Sequence, residues 1–87
     1  MDWSGLEKHR IDLAKPLLLI RGARGMLACG YLNVATFEKT GEAGAIVTGV
    51  GDFDDMLAAK VVAVSPKGLD LGIEVGMPGD EVIARIR

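Results

Sequence analysis

The sequence predicts an α+β domain. Its sheet is mixed: antiparallel strands come first, β-α-β-α-β-type crossovers follow, and the helices pack mainly on one face. Three observations carry this reading. Apolar runs and alternating runs of strand length crowd residues 6–32. Helix-start signals recur at Asn33, Asp52, Ser65-Pro66 and Pro78. The 87 residues are interrupted by no repeat, linker or low-complexity tract, so residues 1–87 form a single domain.

Taken in order, residues 1–5 read as a frayed lead. Over residues 6–14 the charges Glu7, Lys8, Arg10 and Asp12 leave His9, Ile11 and Leu13 at a period of two, the pattern of a half-exposed strand. Lys15-Pro16 breaks or bends it, because proline has no N–H for a ladder. Residues 17–21 are near-continuously apolar and read as a buried strand. Gly22-Ala23-Arg24-Gly25 turns the chain, and residues 26–32 return as a third strand.

Asn33 suits an N-cap, Val34 and Phe37 give the short helix after it an apolar stripe, and Gly41 suits its C′ position. Residues 45–50 read as a strand. Asp52 caps the next helix, with Asp54 and Asp55 complementing its positive end. Residues 60–64 read as a strand of Val and Ala. Ser65-Pro66 opens a short helix that Gly72 ends. Pro78 opens the last helix, whose buried stripe is Val82, Ile83 and Ile86. Strand–helix–strand units after Leu32 imply parallel crossovers.

A chain of this length buries roughly 63% of its extended surface on folding, enough to fold alone with little margin. Hydrophobic residues make up 49% of it, and the mean hydropathy is +0.30. Both values are high for so small a body. They imply apolar surface destined for a partner, and the uncovered strands over residues 6–21 are the natural element for self-association. The expected partner is a second copy of this chain, as a dimer or a tetramer.

Other partners are excluded by composition. The net charge is −2 and the aromatic residues number four, so no basic, aromatic-lined surface exists for nucleic acid. The longest apolar run, Leu17 to Ile20, is far shorter than the roughly 20 residues of a membrane span. The first residues lack the layout of a signal peptide, and a lone cysteine fits a reducing compartment, so the expectation is cytoplasmic. One Cys and one His cannot complete a zinc site, and no Glu closes a calcium loop after Asp52. No cofactor or metal is expected.

Cys29 is the first candidate for chemistry. A core thiol is its plainer role, since free cysteine behaves as a small hydrophobe. A nucleophile needs a base or a cation nearby; His9 is the only histidine, and Arg21 or Arg24 could supply charge. Gly30 would let a ligand approach closely. Thr48-Gly49-Val50-Gly51-Asp52 lies between a strand and a helix, a place where open sheets bind ligands, although two glycines also simply permit a tight turn. Tyr31 and Asn33 could line a pocket beside Cys29. One histidine assembles no Ser-His-Asp or Cys-His-Asn set, which favours a self-assembling binding or scaffold domain over an enzyme. The alternative is a small thiol-dependent enzyme whose composite site lies at a subunit interface.

Several strings are familiar as a set. Pro16-Leu17-Leu18-Leu19-Ile20, Gly25-x-Leu27-x-Cys29-Gly30-Tyr31-Leu32-Asn33, Ala45-Ile46-Val47-Thr48-Gly49-Val50, Met56-Leu57 and Leu71-Gly72-Ile73-x-x-Gly76-Met77 resemble the YunC-like family of bacterial and archaeal proteins. The resemblance spans residues 6–87. It implies a compact α+β unit that self-associates through its N-terminal strands, tetramers included. The family is of unknown function, so the resemblance carries over no activity. Pro78 and Val82 depart slightly from its pattern.

Overall fold

The computed structural model describes every residue from Met1 to Arg87. Its sheet has five strands in the order β1-β2-β3-β4-β5, so neighbours in space are neighbours in sequence. β1 (Glu7–Asp12) and β2 (Pro16–Arg21) pair antiparallel along their full length, from Glu7 opposite Arg21 to Asp12 opposite Pro16. The turn at Gly22–Gly25, closed by the Gly22 N–H on the Gly25 carbonyl at 2.9 Å, returns the chain as β3 (Met26–Ala28). α1 (Val34–Thr40) then crosses to β4 (Gly44–Ile46), which lies parallel to β3.

The second strand–helix–strand unit departs from expectation. β5 (Ala63–Val64) runs antiparallel to β4, not parallel. The intervening α2 (Phe53–Ala58) has six residues, a rise of about 9 Å. It packs on the last helix instead of running back along the sheet, and the chain re-enters from the end at which it left. The sheet is mixed through its β3–β4 pair alone.

Alternation along the strands sorts their side chains into two cores. Leu18, Ile20, Leu27, Ala45 and Val47 join Met56 of α2 and Val82, Ile83 and Ile86 of α4 (Gly79–Ile86). On the other face Ala28 and Ile46 meet Phe37 of α1. Most helical cover therefore sits on one face, with α1 the exception. A Cβ on Gly79 would collide with the Met56 carbonyl, so glycine there sets how closely α4 approaches α2.

The helix ends obey their local chemistry. Asn33 accepts from the Ala35 N–H at 2.6 Å, and Gly41 is left-handed at φ 74°. Ser65 caps α3 (Pro66–Asp70) and is fully buried. Its hydroxyl accepts from Gly44 at 2.9 Å and Gly68 at 3.2 Å, and donates to the Glu42 carbonyl at 2.9 Å. One side chain thus ties the start of β4 to the start of α3.

Two expectations at the N-terminal end are corrected. Residues 1–5 are docked, not frayed: the Trp3 ring meets Phe53 edge-on at 6.3 Å, Lys8 Nζ lies 4.4 Å over Trp3, and Arg87 donates to the Asp2 carbonyl. β1 is not half-exposed, because all six of its residues are exposed on both faces. The helical layer stops short of it. Its only neighbour is β2.

Candidate functional site

Three segments converge on one cleft of about 520 Å³, within the range of roughly 300–1,000 Å³ common for small-molecule sites. Lys15 and Pro16 come from the start of β2. Cys29, Gly30 and Tyr31 come from the end of β3, and Gly49, Val50 and Gly51 from the loop before α2. The hairpin explains the first two groups. Its ladder continues past β3, with the Cys29 N–H on the Leu18 carbonyl at 3.1 Å and the Leu18 N–H on Cys29 Sγ at 3.3 Å. The Lys15 N–H reaches the Tyr31 hydroxyl oxygen at 3.3 Å, closing one end of the cleft.

The third segment is shaped by its cap. Asp52 Oδ1 accepts from the Asp55 N–H at 2.7 Å, while Asp55 Oδ2 accepts from the Gly51 N–H at 2.9 Å. This reciprocal pair satisfies two amides of the turn and holds both carboxylates in it. Gly49 sits at φ 71°, a conformation other residues take up only with strain. That is how the loop doubles back beside Gly30.

The sequence candidates thus separate. Cys29, Tyr31, Gly49 and Gly51 share the cleft. Thr48 stands just behind it, with its Cγ2 3.4 Å from where a Cβ on Gly30 would lie. Asp52 and Asn33 spend their side chains on helix caps. His9 lies elsewhere. It is exposed, sits 3.2 Å from Glu7, and faces Leu19 across the ladder. Leu19 belongs to the Phe37 core and Cys29 to the α2–α4 core, so the two residues occupy opposite faces of the sheet. Arg21 meets Glu7 at 3.4 Å, and Arg24 donates to the Arg87 carbonyl at 3.1 Å. No base or cation among these serves Cys29, whose residue is 4% exposed.

Lys15 and Pro16 are lining residues that sequence reasoning took only as a strand break. The signal was there. Counting outward from the turn at Gly22–Gly25 in antiparallel register sets Pro16 opposite Tyr31 and Leu18 opposite Cys29.

What the fold and the cleft define is a small α+β domain with one open groove beside a buried thiol. Residues 28–86 match the domain of unknown function DUF1805, and the chain belongs to that family. It is 34% identical over 73 residues to the uncharacterized protein YunC of Bacillus subtilis (strain 168), covering 79% of this chain and 72% of YunC. Among solved structures it is similar to the protein of unknown function TA1206 from Thermoplasma acidophilum. That similarity has a TM-score of 0.81 and 34% identity, over 94% of this chain and 93% of that one. The resemblance to the YunC-like family read from the sequence is thus confirmed.

Proposed function

We propose that this protein is a homo-oligomeric binding or scaffold domain of the cytoplasm, its β1 strand covered by an identical copy in a dimer or tetramer. The observation that carries the proposal is β1 itself: six residues, every one exposed, at the rim of the sheet with its outer backbone groups unpaired. A strand in that state is a template for another strand. Ile11 and Leu13, 55% and 51% exposed, add apolar area at the same place. The separation of His9 from Cys29 across the sheet weighs against a thiol-dependent enzyme built within one chain. A reducing compartment suits the free thiol.

Sedimentation velocity at micromolar concentration tests the assembly. The wild type is expected to run as a closed oligomer, and Ile11→Lys with Leu13→Lys to shift it toward monomer with its circular dichroism unchanged. This pair is sharper than deleting residues 1–14, which also removes Trp3 and Leu6 from the core. A wild-type monomer, indifferent to both lysines, overturns the proposal.

A further inference from the structure

The residues that line the cleft carry free backbone donors and a single charged side chain. The backbone N–H groups of Gly30, Tyr31, Gly49 and Val50 donate to no acceptor in the protein, whereas that of Gly51 is held by Asp55. Lys15 is the one ionised side chain of the lining, and it enters no ion pair. The Tyr31 hydroxyl accepts from the Lys15 N–H, which leaves its own proton to donate. Beside these donors, Pro16 and Val50 supply apolar wall.

We propose that this cleft binds a small monocarboxylate with a short apolar body. The carboxylate takes the Lys15 ammonium and the unpaired N–H groups, and the body lies on Pro16 and Val50. Backbone donors that the protein does not use suit a ligand that accepts, and one lysine balances one negative charge. A phosphate dianion fits worse, because one lysine balances only half of its charge and the Asp52 and Asp55 carboxylates of the adjoining turn repel it about twice as strongly as a monoanion. Apolar lining with a few convergent polar groups is the usual make-up of such sites. The proposal is independent of assembly at β1: a monomer that binds leaves it standing, and an oligomer that does not bind ends it.

Amide NMR on the full chain, titrated with sodium butyrate at constant ionic strength, tests it. Butylammonium and inorganic phosphate serve as matched probes. Butyrate is expected to move the Gly30, Tyr31, Gly49 and Val50 resonances saturably. Lys15→Met should weaken that response about tenfold, the size of a lost charge-assisted bond, and Lys15→Arg should restore most of it. Gly30→Leu should abolish it, with the dispersion of the remaining amide resonances as the check that the fold is kept; the backbone there has room for a Cβ, whose nearest neighbour is Thr48 Cγ2 at 3.4 Å. Resonances indifferent to butyrate, or moved equally by butylammonium, overturn the proposal. So does Lys15→Met binding butyrate as the wild type does, or phosphate binding as tightly as butyrate.

Discussion

β1 and β2 are paired along six residues each, yet they belong to different environments. Leu18 and Ile20 of β2 are fully buried in the larger core, whereas no residue of β1 is buried at all. Hydrogen bonding is common to both. What differs is what lies above and below. The comparison teaches that a full ladder does not by itself bury a strand: β1 contributes little apolar burial to its own chain and leaves its outer edge open.

Paired truncations test that contrast most strongly. Leu18→Ala leaves a cavity in the larger core and should cost about 2–5 kcal/mol in chemical denaturation. Ile11→Ala should change the stability of a separated chain by no more than about 0.5 kcal/mol. A loss at Ile11 that grows with protein concentration would show a second copy covering the strand, and a large loss independent of concentration would break the contrast.

Ser65→Ala comes next. It strands the Gly44 and Gly68 amides and the Glu42 carbonyl at a buried junction, for about 1–3 kcal/mol by the same measurement. Asn33→Ala removes an exposed N-cap and should cost about 1 kcal/mol, with Asn33→Asp restoring it.

The smallest effect is a pH dependence at the N-terminal end. The Ser4 backbone N–H, 2.9 Å from Asp2 Oδ1, then the Ser4 side chain and, more weakly, the Arg87 guanidinium hold the Asp2 carboxyl below its ordinary value. A lowered folded-state pKa makes the contribution complete above the ordinary carboxylate value and lost as pH falls through the lowered one. The Ser4 amide should therefore lose hydrogen-exchange protection only in acid, and Asp2→Asn should remove that dependence.

Legibility in the sequence followed the range of the forces involved. The caps at Asn33, Asp52 and Ser65 and the left-handed Gly41 were readable because each is settled within a few residues. Strand ends were not. Residues 26–32, 45–50 and 60–64 read as strands, but only Met26–Ala28, Gly44–Ile46 and Ala63–Val64 pair as such. Val47 and Val61 are buried just outside those limits, so the apolar runs reported burial correctly without reporting pairing. The direction of β5 was hidden for a related reason, since it depends on α2 docking against α4, a contact distant in sequence.

The candidate site was legible in halves. Cys29, Tyr31 and the glycines at 49 and 51 were singled out by residue type, and they share the cleft. His9 was singled out the same way but lies on the other side of the sheet, a fact that needs the register of β1 on β2 and not merely strand order. Lys15 carried no chemical motif, and only the hairpin geometry brings it to Tyr31.

Strand order identical to chain order has a kinetic corollary. Each ladder joins strands that follow one another in the chain, so the sheet can grow strand by strand without waiting for a distant one to insert. A contact far more distant along the chain is that of α4, which returns to cover β3 and accepts the Arg24 N–H on the Ile86 carbonyl. The sheet's sequential order thus leaves the joining of tail to hairpin as the long-range closure of the fold.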